Sequence, residues 1–321
     1  MMNWEGKTSK VSFGKDQCKA EQYTAKDFAN SPIMISKNSQ MIDVIEKLTE
    51  LGISRLVVHD MGKPIGIITT KDWVMLLLSN KNGEDPYKVP LTKAMHRIAQ
   101  VKPDTPIREC VKTILLKGIS SLVVMENDKM VGIFTKTDLI RHYSQNYSHD
   151  SFVSEYMRKK FASVRADEPV SKALEMMKKY RTPRLIVTDD AGKYCGIITM
   201  GDFFRSAFSI NRVSSVEERL SILEKIRNQV TNESTTKNTY IRDIMSETLI
   251  SVKQSDSLDY ACKIMLEKNI DSVVVMDSSS KPCGLLSKTD VMSALYGRMQ
   301  IMKRITACEI TPKRNMKILI A

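Results

Sequence analysis

Gly66-Ile67-Ile68-Thr69-Thr70-Lys71-Asp72 is the stretch around which this chain of 321 residues is organised, because it occurs four times. The other copies begin at Gly132, Gly196 and Gly284. Each contains a glycine, two apolar residues, a hydroxyl residue, two variable positions and an aspartate. The glycines are therefore spaced by 66, 64 and 88 residues. Such a spacing predicts four repeats, each of which is one supersecondary unit.

The physical chemistry of this signature supports two interpretations. The apolar pair predicts a buried strand, and the hydroxyl residue followed three positions later by a carboxylate resembles a capping box that opens a helix. A helix N-terminus also offers free N–H groups and the positive end of a dipole, which suit a phosphate. Four aspartates beside four such helix starts equally suit a nucleotide, with the carboxylates on ribose hydroxyls. The motif alone supports capping and nucleotide binding about equally.

Composition predicts a soluble, globular protein with room for two domains. Hydrophobic residues make up 42% of the chain and charged residues 27%, which are ordinary proportions for such proteins. The apolar run from Val74 to Leu78 is too short to span a bilayer. The first twenty residues carry charges throughout, so we expect no secretory signal and a cytoplasmic location. The six cysteines form no C-x-x-C pair, and we expect those in the repeats to be reduced core residues.

The chain is basic, with a formal net charge of +12 and a pI near 9.3. Such a charge is compatible with nucleic acid, with phosphate ligands or with an acidic partner. Basic residues are spread along the whole chain without a block of five or six like charges. This distribution favours a solvated basic surface over a dedicated nucleic-acid site.

Each repeat contains the same series of local signals. In the first, apolar residues recur at helical spacing from Met41 to Leu51, and two short apolar runs separated by a turn follow. This order predicts a helix and a β-hairpin ahead of the signature helix. The hairpin turn is one residue longer in repeats 3 and 4 than in repeats 1 and 2. We therefore expect repeat 1 to pack against repeat 2, and repeat 3 against repeat 4.

The linking segments define the expected domains. A polar connector at 144–151 separates the two halves of the chain. Capping signals ahead of a helical apolar pattern predict an inserted amphipathic helix at about 214–231. We expect an N-terminal arm, a first domain, a second domain and a basic C-terminal tail at 1–23, 24–147, 152–300 and 301–321.

Helix–strand–strand–helix units that end in this signature, arranged in tandem pairs, resemble the cystathionine β-synthase (CBS) domain. The resemblance covers about residues 24–300. It implies a mixed α/β fold of four repeats of the βαββα type, paired into two Bateman modules. In that family, the clefts between paired repeats typically bind AMP, ADP, ATP or other adenosine-containing ligands.

The resemblance implies a role for each signature residue. Ribose hydroxyls would be held by Asp72, Asp138, Asp202 and Asp290. Phosphate groups would contact Thr69, Thr135, Thr199 and Ser287, together with two basic residues that precede a strand, Arg55 and Arg184. The corresponding positions in repeats 2 and 4 are Ser121 and Ser272, and Asp271 beside the latter would repel a phosphate. We therefore expect the sites that use Arg55 and Arg184 to be the better ones, although each arginine could equally be an unpartnered strand-end residue.

No motif indicates an enzyme, since the chain has no P-loop, no G-x-G-x-x-G and no H-E-x-x-H. We expect no catalytic residues, no metal site and no required cofactor. The expected function is that of a regulatory protein that senses an adenine nucleotide and modulates a protein partner, with homodimerisation as a further option and no membrane association. The protein resembles the γ subunit of AMP-activated kinase in its number of repeats. The alternative is a nucleic-acid-associated or transcription-related regulator that uses the basic surface.

Overall fold

A computed structural model of the chain describes residues 23–79, 88–147, 151–208, 239–247 and 250–310. For 77–79, 206–208 and 301–310 it describes the backbone only. The described residues form four copies of one unit, in which a short strand, a helix, a β-hairpin and a second helix follow one another. This is the mixed α/β arrangement of four repeats that the sequence predicts.

The first repeat shows why the unit forms. It contains β1, α1, β2, β3 and α2 at Met34–Ser36, Met41–Glu50, Arg55–Asp60, Lys63–Thr69 and Thr70–Ser79. The apolar positions of α1 recur at intervals of three and four, and Met41, Val44 and Leu48 are almost completely buried. This spacing turns one face of the helix to the core.

The other repeats follow the same order. Repeat 2 contains α3, β4, α4, β5, β6 and α5 at Leu91–Ala94, Gln100–Val101, Ile107–Lys117, Ser121–Glu126, Lys129–Thr135 and Lys136–Asn146. Repeat 3 contains α6, β7, α7, β8, β9 and α8 at Val153–Tyr156, Ser163–Arg165, Val170–Lys179, Arg184–Thr188, Tyr194–Thr199 and Met200–Phe208. Repeat 4 contains β10, α9, β11, β12 and α10 at Ser251–Lys253, Leu258–Glu267, Ser272–Met276, Pro282–Ser287 and Lys288–Ile310.

Each repeat has its own three-stranded sheet. The first strand pairs in parallel with the second, which pairs antiparallel with the third. In repeat 1 this register places Arg55 opposite Thr69, and in repeat 3 it places Arg184 opposite Thr199. The two arginines thus lie beside the residues at which the signature helices begin.

Small apolar clusters between sheets join the repeats in pairs. Val57 and Ile67 of repeat 1 pack with Val123 and Ile133 of repeat 2. An equivalent cluster joins repeats 3 and 4 through Ile186, Tyr194, Val274 and Leu285. The pairing predicted from the hairpin turns is therefore confirmed, and we call repeats 1 and 2 module 1, and repeats 3 and 4 module 2.

The signature glycines lie where paired repeats cross. A Cβ atom added to Gly196 would come within 2.8 Å of the carbonyl oxygen of Ser246, and one added to Gly132 within 2.9 Å of that of Asn30. Gly66 and Gly284 meet a methionine and a carbonyl of the partner repeat in the same way. Backbone bridges run through these crossings, for example between Ile197 and Ser246. A glycine is needed because no side chain fits between the two backbones.

The helices join the two modules to each other. One core cluster contains residues from the helices of repeats 1 and 3, and another contains residues from the helices of repeats 2 and 4. In the first cluster the ring of Trp73 meets that of Phe204 edge-to-face, with the centroids 5.8 Å apart. The signature helices are therefore buried on two sides, against their own sheet and against the other module.

The cysteines at apolar repeat positions are free thiols. Cys110 and Cys262 are completely buried, whereas Cys195 and Cys283 are half-buried. Burial raises the pKa of the Cys110 thiol to about 12 and also raises that of Cys262. A neutral thiol in such surroundings acts as a small apolar side chain.

Two segments differ from their prediction. Helix α5 continues to Asn146, so the first part of the predicted connector is helical, and the buried Ser144 donates to the carbonyl of Arg141. Helix α10 continues to Ile310, into the predicted tail, because 288–310 contains no proline and Pro312 comes only two residues later. Residues 1–22 of the predicted arm at 1–23 and the predicted inserted helix at about 214–231 lie outside the described residues. The predicted domain boundaries remain predictions. Within the described ranges, no helix is both long enough and apolar enough to cross a membrane.

Candidate functional site at the starts of the signature helices

All four signature aspartates lie at the start of a signature helix (α2, α5, α8 and α10) and accept hydrogen bonds there. In repeat 1 the Oδ2 atom of Asp72 accepts from the backbone N–H of Thr69 at 2.9 Å and from its hydroxyl at 2.7 Å. Asp138, Asp202 and Asp290 accept the same two bonds from Thr135, Thr199 and Ser287. Half of each carboxylate therefore serves the capping arrangement.

The second oxygen of each aspartate contacts a different group in each repeat. Asp72 Oδ1 lies 2.6 Å from His96 Nε2, and Asp290 Oδ1 accepts from Arg158 Nε at 2.8 Å. Both partners come from the segment of the paired repeat that crosses the signature strand. Asp138 Oδ1 accepts from Arg141 at 3.1 Å, one helical turn later.

Accessibility separates the four carboxylates into two groups. The side chains of Asp138 and Asp290 are 17% and 12% exposed, and those of Asp72 and Asp202 are 7% and 3% exposed. Asp202 is also held twice, because Oδ1 accepts from Arg205 at 2.6 Å and from Ser246 at 2.8 Å. The repeat 2 and repeat 4 aspartates are therefore the easier ones for a ligand to reach.

The two arginines singled out in the sequence cross to the paired repeat. The guanidinium of Arg55 donates to the carbonyl of Ser120 at 2.9 Å and to its hydroxyl at 3.1 Å. Arg184 donates to the carbonyl of Asp271 at 3.3 Å, which is the equivalent contact in module 2. Neither arginine is an unpartnered strand-end residue.

These crossings place each arginine near an aspartate of the other repeat in its module. Asp138 is among the charges that act on Arg55, and Asp290 among those that act on Arg184. The structure therefore groups Arg55 with Asp138 and Arg184 with Asp290.

Two lysines that the sequence interpretation missed complete the site. Lys136 donates to the hydroxyl of Thr289 at 2.9 Å, and Lys288 donates to that of Thr137 at 3.0 Å. These reciprocal bonds join repeat 2 to repeat 4 and hence module 1 to module 2. The available signal was that only repeats 2 and 4 have lysine directly after the signature hydroxyl residue.

The four cations, Arg55, Lys136, Arg184 and Lys288, form a group that we call the central cation cluster, with one member from each repeat. Burial lowers the pKa of Lys136 to about 8, although the charges of Asp271 and Asp290 partly oppose the shift. Arg184 and Arg55 lower that pKa further by repulsion. Burial likewise lowers the pKa of both arginines. Like charges held together with little water are well suited to an anionic ligand.

The described residues contain no group of three or more histidine, cysteine, aspartate or glutamate side chains that could hold a metal ion. The contacts above make up the site from cations, carboxylates, hydroxyl groups and helix N-termini. Cations, helix N-termini and hydroxyl groups can donate hydrogen bonds to an anion, and carboxylates can accept them from the hydroxyl groups of a ligand.

The family profile of the CBS domain matches residues 25–79, 92–145, 153–209 and 241–297, which are the four units of the fold. The chain belongs to the CBS domain family. Each match ends within or directly after a signature helix, so the glycine, the hydroxyl residue and the aspartate of every copy lie inside a CBS domain.

Two solved structures show the same overall fold. The crystal structure of protein MJ1225 from Methanocaldococcus jannaschii, described as a candidate archaeal homologue of g-AMPK, has a TM-score of 0.72 at 20% identity. The match covers 85% of this chain and 100% of that one. A conserved protein from Pyrococcus horikoshii has a TM-score of 0.56 at 18% identity, with the same coverage. These likenesses establish the fold.

The match to some curated relatives covers only part of their length. An arabinose 5-phosphate isomerase from Francisella tularensis is 35% identical over 111 residues, which are 34% of this chain and 34% of that protein. The chain thus spans about a third of the length of that enzyme. It also spans less than two thirds of the length of two further curated relatives. The prediction that this chain has no catalytic activity remains a prediction.

Proposed function

We propose that this CBS protein is a regulatory sensor that binds adenine nucleotides in the clefts between its paired repeats and modulates a protein partner. The observation that carries the proposal is the central cation cluster, together with the helix-start carboxylates of Asp138 and Asp290, whose charges act on it. Cations and N–H groups bind phosphate, and carboxylates accept from ribose hydroxyls. The description of MJ1225 as a candidate homologue of g-AMPK agrees with this proposal. A cytoplasmic location belongs to the same proposal.

Capping and ribose binding are compatible because they use different oxygens. In each repeat Oδ2 accepts the two cap bonds, while Oδ1 contacts a side chain that could exchange with a ligand. In repeat 4 that side chain is Arg158, which is 59% exposed, so we propose that it moves into solvent when a ligand binds. We therefore propose the Asp290 cleft with Arg184, and the Asp138 cleft with Arg55, as the principal sites. Asp72 and Asp202, with Thr69 and Thr199, would form secondary sites.

The lysines provide a route from ligand to partner. Lys136 and Lys288 bridge the modules through Thr289 and Thr137. A phosphate that engages either lysine competes with the bond that the lysine makes across the module interface. Binding would then bias how the two modules pack, and a partner protein that contacts both modules would detect the change.

A titration of AMP and ATP into the wild type and three variants tests the repeat 4 site. We expect Asp290→Ala to weaken binding by roughly 1.5–3 kcal/mol, the range for hydrogen bonds to a charged group. Asp290→Glu should also weaken binding, because the longer side chain misplaces the carboxylate.

The matched control is Asp43→Ala. Asp43 accepts the N–H of Gln40 at 2.7 Å at the start of α1, so the variant loses a helix cap but no part of the cluster. It should lose stability by about 1 kcal/mol and keep its affinity. Unchanged affinity in both Asp290 variants would leave this carboxylate as a cap and remove the repeat 4 site from the proposal.

A thermal-shift screen separates the proposal from the nucleic-acid alternative. A ligand that binds only the folded state must raise the melting temperature. We expect a rise with AMP, ADP or ATP. A rise only with arbitrary DNA or RNA, lost at high salt, would favour the alternative and overturn the nucleotide proposal.

A further inference from the structure

One acidic side chain stands within the central cation cluster. Asp271 directly precedes β11, and its Oδ1 atom lies 3.0 Å from the ammonium group of Lys288. The side chain of Lys288 is 7% exposed, whereas that of Asp271 is 78% exposed. The carboxylate therefore faces solvent on the accessible side of a buried lysine, where an incoming anion would approach.

Comparison of the repeats shows that this charge is peculiar to repeat 4. The equivalent positions, directly before the second strand of each sheet, are Ser54, Ser120 and Pro183. The difference from Ser120 is informative because the backbone carbonyls of Ser120 and Asp271 accept equivalent bonds in the two modules. Arg55 donates to the Ser120 carbonyl, and Arg184 donates to the Asp271 carbonyl. Module 2 thus has a carboxylate where module 1 has a hydroxyl group.

The charge of Asp271 acts on the whole cluster. Burial lowers the pKa values of Arg55, Lys136 and Arg184, and in each case Asp271 is the first charge that opposes the shift. The protein groups around the Asp271 carboxylate displace part of its water and would raise its pKa, even though most of the side chain is exposed, but the charges of Lys288, Arg184 and Arg55 outweigh this effect and bring the pKa below its ordinary value. Asp271 is thus ionised and partly neutralises cations from all four repeats.

We propose that Asp271 is an internal counter-anion that sets the charge selectivity of the central cation cluster. It pairs with Lys288 in the place that a phosphate group would take and disfavours ligands in proportion to their negative charge. The inference rests on the proposed function, since it concerns the same cluster. It predicts that Asp271→Ser and Asp271→Asn increase the affinity for anions and that Ser120→Asp decreases it.

The test uses inorganic anions of increasing charge, so that it does not depend on adenosine recognition. Sulfate, pyrophosphate and tripolyphosphate are titrated into the full-length wild type, Asp271→Ser, Asp271→Asn and Ser120→Asp at low ionic strength. Coulomb energy scales with the charge of the ligand. We expect both Asp271 variants to bind pyrophosphate roughly tenfold more tightly, about 1.4 kcal/mol. The gain should be smaller for sulfate and larger for tripolyphosphate, and Ser120→Asp should bind all three more weakly.

Asp167→Asn is the matched control. Asp167 pairs with Arg165 at 3.0 Å on an exposed part of repeat 3, so this variant changes the net charge equally without touching the cluster. Its affinities should equal those of the wild type. Equal gains in Asp167→Asn and Asp271→Asn would overturn the proposal, as would a gain that is the same for every anion.

Thermal unfolding tests the proposal even if the protein needs Asp271 for its stability. Removing Asp271 leaves four cations without their shared partner, so both variants should melt at lower temperature than the wild type at low salt. Pyrophosphate should restore more of this loss than an equal ionic strength of sodium chloride. If neither Asp271 variant folds, the proposal is tested by Ser120→Asp alone. An affinity in that variant equal to that of the wild type would overturn the proposal.

The two proposals fail separately. Wild-type protein that binds no AMP, ADP or ATP would remove the nucleotide function, while a charge-dependent gain in Asp271→Ser would still establish the counter-anion. Wild-type protein that binds nucleotides, together with an unchanged Asp271→Ser, would retain the function and remove the counter-anion.

Discussion

At the scale of single residues, the chemistry of this protein depends on cations that are held in an environment poor in water. Lys136 is half-buried at the start of α5 and shares the cluster with Arg55 and Arg184. Its ammonium group donates to the hydroxyl of Thr289. Removing water from a cation disfavours its charged form, and neighbouring cations disfavour it further. Charge at this position is therefore sensitive to pH near 8, below the ordinary range of a lysine.

We expect the affinity for AMP to fall as the pH rises through about 8. The pKa of Lys136 is lowered from 10.5 to about 8, so the free protein loses this charge above that value, whereas a bound phosphate favours the charged form. Binding should consequently take up protons above about pH 8. Calorimetric titrations between about pH 7 and 9, in buffers of different ionisation enthalpy, measure both effects.

Lys136→Arg is the control, because arginine stays charged throughout this range. It should bind AMP with an affinity that does not change with pH, and Lys136→Met should bind weakly at every pH. An equal pH dependence in the wild type and in Lys136→Arg would show that another group titrates.

At the scale of elements, the decisive feature is the crossing of each signature strand by a segment of the paired repeat. The N–H of Ile197 donates to the carbonyl of Ser246, and the N–H of Ser246 donates back to the carbonyl of Ile197. This pair of bonds requires backbones in direct contact, and Gly196 allows it. The same crossing supplies side chains to the second oxygen of three signature aspartates, from His96, Arg158 and Ser246. This crossing therefore joins the paired repeats and also supplies side chains to the site.

Gly196→Ala should destabilise the protein by roughly 1–3 kcal/mol, the range for overpacking a rigid site. The added methyl group would lie 2.8 Å from the carbonyl oxygen of Ser246. Relieving this contact would require a shift of the Ser246 backbone, which is held by its hydrogen bonds to Ile197. Urea unfolding monitored by circular dichroism gives the free energy of unfolding.

Gly297→Ala provides the comparison. Gly297 lies in helix α10, and among the described residues its added Cβ meets nothing within 4 Å apart from its chain neighbours and its own helix backbone. This variant should gain up to about 1 kcal/mol, since alanine favours a helix. Equal effects of the two substitutions would contradict the close approach at Gly196.

At the scale of the whole molecule, the two modules form one assembly through their helices. Trp73 is completely buried and Phe204 is 7% exposed, and they meet across the boundary between repeats 1 and 3. On the other side, Tyr143 of α5 belongs to the same core cluster as Leu258 of α9. Because both interfaces are apolar, the modules should unfold together.

Phe204→Ala should lower stability by about 3–5 kcal/mol, the range for removing a buried aromatic ring. It should also shift the fluorescence of Trp73 to longer wavelength, because water gains access to the indole ring. The measurement belongs in a Trp4→Phe background, since Trp4 is the other tryptophan of the chain.

Tyr180→Ala is the control, because Tyr180 is an aromatic residue that is 53% exposed. It should change stability by no more than about 0.5 kcal/mol and leave the fluorescence unchanged. Two separate unfolding transitions in the wild type would contradict a single cooperative assembly.

The sequence by itself determined the repeats, the elements within them and the capping chemistry. These properties depend on residues a few positions apart: the spacing of Met41, Val44 and Leu48 produces one buried helical face, and Thr69 lies three residues before the carboxylate that bonds to it. Even the pairing of repeats could be predicted, since hairpin turn length differs between the modules.

Only the tertiary structure decided which charges meet. Arg184 lies near Asp290 and Asp271, and Lys136 lies against Thr289, 153 positions away along the chain. Local periodicity carries no information on these contacts, because they depend on how sheets cross at the glycines and how helices pack between modules. The composition of the central cation cluster follows from that packing, and so does the position of Asp271 within it.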